Sequence, residues 1–227
     1  MWRFRGSAQL VRYADDFVCC FQYKNEALNF YQWLIPHFRK YGFELAPEKT
    51  RVIQFGRFAE QDIQKMHEQG KTDQTKPGTF NFLGFTFYCG KSAKTGKFSC
   101  KVKSDSKRVR TKLAKQKAWL AEHRGLKLKE VIRHFNDVLK GYFNYYAVTC
   151  NIKAVAAFRY HVIGYIFKWL NRRSQRKSYT WEGFCHMLQY YPVVKAKVLV
   201  NIYTFRDNMT RQRSWMPELG TSRSVRG

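Results

Sequence analysis

Leu10-Val11-Arg12-Tyr13-Ala14-Asp15-Asp16-Phe17-Val18 is the stretch on which the reading of this chain turns. It lies within Gln9 to Tyr23, a run rich in Val, Phe, Tyr and Cys with two adjacent acids at its centre. β-Branched and aromatic residues on either side of a polar pair predict two short strands meeting in a tight turn. Adjacent carboxylates on such a turn suit a hard cation such as Mg²⁺, which takes oxygen ligands and keeps several waters. The plain alternative is a solvated acid pair at an ordinary turn. The surrounding sequence decides between the two.

Working outward, Asn25 is placed to cap a helix carrying Leu28, Tyr31, Ile35 and Phe38 on one face, kinked at Pro36 and ended by Gly42. Arg51 to Phe55 reads as a strand, and Ala59 to Gly78 as a polar, exposed insertion. Phe80 to Tyr88 and Lys97 to Lys103 form a β-rich hairpin whose basic tip runs from Gly90 to Gly96. From Ser104 the hydrophobic period changes from two to 3.6, which marks a domain boundary. Val109, Leu113 and Leu120 line a first helix, broken at Arg124-Gly125. A second places Leu128, Val131, Ile132, Phe135, Leu139, Tyr142, Phe143 and Tyr146 on one stripe, and a third does the same for Ile152, Val155, Ala156, Ile163, Ile166, Phe167 and Leu170. Thr180 to Tyr190 suggests a further short helix, and Val193 to Phe205 a last packed segment. The fold class is therefore α+β, antiparallel strands with a helix followed by an all-helical bundle.

Composition narrows the partner. Of 227 residues, 42 are Lys or Arg and 16 are Asp or Glu, for a net charge of +26, while 44% are hydrophobic and 17% aromatic. Such a chain folds, but it repels itself until a polyanion neutralises it. No apolar run approaches the ~20 residues that span a bilayer, and Met1-Trp2-Arg3-Phe4-Arg5 lacks the apolar core of a signal peptide. Nucleic acid is the expected partner, and no membrane is. Cys19, Cys20, Cys89, Cys100, Cys150 and Cys185 show no zinc spacing and read as buried, reduced thiols of a cytoplasmic protein. Basic residues repeat through Lys107, Arg108, Arg110, Lys112, Lys115 and Lys117, and again through Lys168, Arg172, Arg173, Arg176 and Lys177, with few acids nearby. Phosphate contact explains them better than an ordinary solvated face. Tyr145 lies off the second helix's apolar stripe and is the better RNA contact among its tyrosines, while Trp169, Tyr179 and Trp181 either stack on bases or pack.

Taken in order, these segments resemble a known family. Leu10 to Val18 resembles the palm motif of group II intron reverse transcriptases. Leu45-Ala46-Pro47-Glu48-Lys49-Thr50 resembles the next motif, and Phe82-Leu83-Gly84-Phe85 the primer grip. Gly141-Tyr142-Phe143-Asn144-Tyr145-Tyr146 and Trp169-Leu170-Asn171-Arg172-Arg173 resemble the thumb, or maturase-specific domain. The resemblance implies the end of a polymerase palm over residues 1–103, a thumb/maturase bundle over 104–205 and a flexible basic tail over 206–227. It implies RNA-directed DNA synthesis by nucleotidyl transfer, help in intron splicing and retrotransposition, and intron RNA and template-primer as partners. Asp15 and Asp16 would be catalytic Mg²⁺ ligands, and Lys49 a catalytic residue protonating the leaving pyrophosphate.

The sequence also departs from that family. Its palm includes another catalytic aspartate and nucleotide-binding segments ahead of the Tyr-x-Asp-Asp turn, whereas Met1 lies a few residues upstream of Tyr13. The expectations are an incomplete Mg²⁺ site, no polymerase activity in isolation, and a separately encoded fingers-palm fragment as a possible partner. A Cys- and His-bearing nuclease domain is not expected either. A non-catalytic RNA-binding maturase remnant is the alternative, and a generic basic protein with an accidental motif is a third reading that leaves the ordered motifs unexplained.

Overall fold

The computed structural model describes residues 4–46, 48–93, 95–173 and 179–202, so the tail from residue 206 and residues 174–178 lie outside it. The chain divides into two compact units, Met1–Asp105 and Ser106–Gly227.

In the first unit, β1 (Ala8–Tyr13) and β2 (Asp16–Phe21) pair antiparallel from Ala8 opposite Phe21 to Tyr13 opposite Asp16. This is the hairpin expected from the sequence, and its loop is the two residues Ala14 and Asp15. Phe17 and Phe21 share one face of β2, since side chains alternate along a strand, and α1 (Lys24–Lys40) covers that face. Phe21 meets Phe30 at 5.2 Å and Phe17 stacks with Phe38 at 6.3 Å. The helix starts at Lys24 without a side-chain cap, so Asn25 is not its cap, and its buried residue is Leu34. Leu28, assigned to the apolar face, is exposed. Pro36 sits within the helix. Gly42, at φ 75°, ends it: Phe43 N donates to Phe38 O at 3.0 Å and the two rings meet at 6.4 Å.

Two expectations fail in the next stretch. Arg51 to Phe55 forms no strand, because no described strand offers it a ladder; Phe55 instead packs edge-on against Phe80 at 5.3 Å. The supposed exposed insertion contains α2 (Ala59–Glu68), which buries Ala59 and Ile63, four residues apart on one face. β3 (Phe80–Phe82), β4 (Phe85–Lys91) and β5 (Phe98–Ser104) then form an antiparallel sheet in that order. The run from Phe80 to Tyr88 is thus two strands. Leu83 at φ 50° and Gly84 at φ 75° reverse the chain between them, the left-handed pair that a two-residue hairpin loop demands.

The second unit is helical: α3 (Ser106–Glu122), α4 (Leu128–Tyr146), α5 (Ile152–Arg172) and α6 (Trp181–Tyr190). α4 buries seven of its eight expected stripe residues, with Leu128 half-buried at its start. α5 buries Val155, Phe158, Val162, Ile163, Ile166, Trp169 and Leu170. Ala156, assigned to that stripe, is exposed because it falls one step past the edge of the buried arc. Tyr142 stacks on Phe158 at 4.0 Å where α4 meets α5. Asn151, fully buried, donates to Tyr146 O at 2.9 Å and closes their connection. After α6 the chain runs without regular structure across the bundle. Asn136 accepts from Val194 N at 2.9 Å and donates to Pro192 O at 3.0 Å. Arg159 donates to the carbonyls of Val194 and Val193 at 2.7 and 3.1 Å. The strap ends in a parallel bridge between Val148 and Val200.

Candidate metal turn and nucleic-acid interface

The acid turn is held by its backbone. Ala14 takes φ 49°, a left-handed conformation uncommon for a residue with a Cβ but matched to the first central position of a tight hairpin loop. Arg12 Nε donates to Ala14 O at 2.9 Å and fastens the loop from outside. Asp15 therefore stands in the loop and Asp16 opens β2, both exposed. Two adjacent carboxylates fit one hard cation that keeps most of its waters. No group of three or more His, Cys, Asp or Glu side chains able to hold a metal exists among the described residues.

Lys49 is exposed in a separate turn, where Lys49 N and Thr50 N both donate to Ala46 O, at 3.1 and 3.0 Å. No described contact joins it to Asp15 or Asp16; Pro47, beside it in the motif, lies outside the described residues. Phe82, Leu83, Gly84 and Phe85 are the tip of the β3–β4 hairpin. Gly84 is buried, and its carbonyl accepts from Asp105 N at 3.0 Å.

In the helical unit, Lys107, Arg108, Arg110, Lys112, Lys115 and Lys117 are exposed on α3, whose acid is Glu122 at its last position. Lys112 has a second engagement: its Nζ lies 5.5 Å from the rings of both Tyr142 and Tyr146. That cation–π contact ties α3 to α4. Lys168 and Arg172 are exposed on α5; the Arg173 guanidinium lies 4.8 Å over the Trp169 ring, and Trp169 itself packs in the core. Arg176 and Lys177 lie outside the described residues. Tyr145 is exposed while Tyr142 and Tyr146 are buried, as the helical spacing implied.

Other groupings were not read from the sequence. A cleft of about 270 Å³ between α4 and the start of the strap is lined by Lys129, Arg133, Lys140, Tyr190 and Tyr191, among others. A second, also about 270 Å³, opens between α5 and α6 beside Tyr160, Gly164, Lys168 and Trp181. Both gather residues from separate helices, which periodicity along one helix does not reveal. Trp119 stacks with His123 at 4.4 Å and with His134 at 3.6 Å, where burial and the nearby His123 depress the His134 pKa. A tryptophan followed by a histidine one helical turn later was the visible signal for half of that stack.

Residues 2–87 match the reverse transcriptase (RNA-dependent DNA polymerase) family, and residues 107–184 match the group II intron maturase-specific domain. No curated protein and no solved structure matches the chain. No described helix is long and apolar enough to cross a membrane.

Proposed function

The chain belongs to the group II intron reverse transcriptase/maturase family, and we propose that its helical unit binds intron RNA while its hairpin unit supplies part of a polymerase palm. In this reading residues 1–103 are palm, 104–205 thumb and maturase domain, and 206–227 a basic tail. Nucleic acid is the substrate class that both matched domains imply, and a divalent metal requirement is general to the reverse transcriptase family. The observation that carries RNA binding is the row of exposed cations along α3, with an acid only at its last residue. Lys107, Arg108, Arg110, Lys112, Lys115, Lys117, Lys168, Arg172, Arg173, Arg176 and Lys177 contact phosphates, and Tyr145 contacts a base.

Asp15 and Asp16 hold a Mg²⁺ ion, whose chemistry when bound is to activate a primer hydroxyl and offset charge on the transferring phosphate. Lys49 donates a proton to the departing pyrophosphate. Phe82 to Phe85 seat the primer. Further ligands come from a separate fingers-palm fragment that pairs along the exposed β1 edge, where Leu10 and Val11 face solvent. A cytoplasmic location keeps the six free cysteines reduced; none of them is buried as expected, Cys20, Cys100 and Cys185 being exposed and Cys19, Cys89 and Cys150 half-buried.

The test has two arms. RNA affinity falls steeply and linearly on a logarithmic scale as salt rises, because neutralised phosphates release counterions, and Asp15→Asn leaves that affinity unchanged. With a fingers-palm fragment, primer-template, Mg²⁺ and nucleotides, Asp15→Asn abolishes extension. Salt-independent RNA binding defeats the maturase assignment; extension indifferent to Asp15 defeats the catalytic one.

A further inference from the structure

We propose that the cleft between α5 and α6 receives an unpaired RNA base, stacked against Trp181 and Tyr160, with Lys168 on an adjoining phosphate. The proposal rests on the RNA-binding reading above and adds the form of RNA taken. Three observations support it.

Large rings stand open there. Tyr160 is 67% exposed, and Trp181 is 47% exposed although Phe167 meets it edge-on at 5.2 Å and Phe184 lies 5.6 Å away. A ring already anchored on one side loses little freedom when a base stacks on what remains. Gly164 contributes the second. Glycine inside a helix destabilises it relative to alanine, and packing gives no reason for it here, since a Cβ at Gly164 would meet nothing within 4 Å. Gly164 lines the cleft, so its missing side chain leaves space there. Charge is the third. Among the described residues the lining holds Lys168 and His161 and no carboxylate, which favours an anionic ligand with a flat apolar body. A nucleotide has that character, and in duplex RNA the bases are already stacked, so a single strand is what fits.

The test uses the full chain and two fluorescent probes, a short oligoadenylate and a blunt RNA duplex with as many phosphates, followed by anisotropy. Trp181→Leu weakens oligoadenylate binding about tenfold and leaves duplex binding within about twofold. Gly164→Ala raises the thermal midpoint yet weakens oligoadenylate binding, a combination that damage to the fold cannot produce. Equal losses on both probes, or unchanged oligoadenylate binding in both variants, overturn the proposal. So does capture of an acidic aromatic peptide in the cleft by the wild-type chain with oligoadenylate binding insensitive to Trp181. A wild-type chain that binds neither probe overturns the broader RNA-binding reading along with it, whereas failure of the cleft alone leaves wild-type binding to both intact.

Discussion

The two units solve the problem of burying apolar surface differently. Among the described residues, the hairpin unit buries Leu34, Ala59, Ile63 and Val102, and leaves Leu10, Tyr13, Phe43 and Phe58 each more than 60% exposed. The helical unit encloses Val131, Phe135, Leu139, Val155, Phe158, Val162, Ile166 and Phe184 almost completely. A two-stranded hairpin has one face for a helix to cover and two unpaired edges, whereas a bundle buries a stripe from every helix. Among the described residues the helical unit therefore has the larger enclosed core, and the hairpin unit keeps more of its large apolar side chains exposed.

Truncating a core ring is the strongest way to break this comparison. Phe135→Ala, at a site with no exposure, is expected to destabilise the helical unit by roughly 3–5 kcal/mol through lost burial and the cavity left behind. Phe21→Ala, in the half-buried cluster with Phe4 and Phe30, should cost about 1–2 kcal/mol, in proportion to its smaller burial. Urea unfolding followed by circular dichroism measures both. Equal costs would mean that the hairpin unit is packed as tightly as the bundle, contrary to the exposures above.

Backbone strain offers the next test, with an effect of opposite sign. Ala14 occupies a left-handed φ in the acid turn, which penalises a residue with a Cβ by about 1 kcal/mol relative to glycine. Ala14→Gly should raise the stability of the hairpin unit by somewhat less than that, because glycine also loses more freedom on folding. It should also loosen the placement of Asp15, so extension with a complementing fragment falls even as the midpoint rises. A midpoint that drops would show that the turn's strain is repaid by contacts of the Ala14 methyl group.

Much of this architecture was legible, and the parts that were not share a cause. The α4 stripe was readable because apolar and polar residues separate cleanly at a period of 3.6. On α5 the aromatic and small residues surround the helix, so Ala156 was placed inside while Phe158, Val162 and Trp169 took the buried positions. Arg51 to Phe55 has strand composition but no strand beside it among the described residues, and pairing, not composition, makes a strand. The break at Leu83-Gly84 was hidden because leucine gives no hint of a left-handed φ. At the candidate site, the acid turn could be read because its residues are contiguous. The α5–α6 cleft could not, since it exists only when Gly164 and Trp181 are brought together by packing.

The smallest expected effect concerns the His123–Trp119–His134 stack at the edge of the bundle. Burial first, then the nearby His123, lower the folded-state pKa of His134, with Asp137 opposing them. The neutral ring is thus favoured in the folded state, and the unfolded chain binds its proton at higher pH. Stability from this source is fully present above the ordinary histidine pKa of about 6.5 and declines as pH falls through that value toward the depressed one. The ring is half-buried, so solvent screens the effect and a modest slope is expected. Thermal unfolding of the wild type between about pH 5 and 7.5 should show the midpoint falling on the acid side, and His134→Gln, which keeps a polar group within reach of Gln116, should flatten that slope. An unchanged slope in the variant would assign the acid sensitivity to another group, and the tight stack on Trp119 would then act through packing alone.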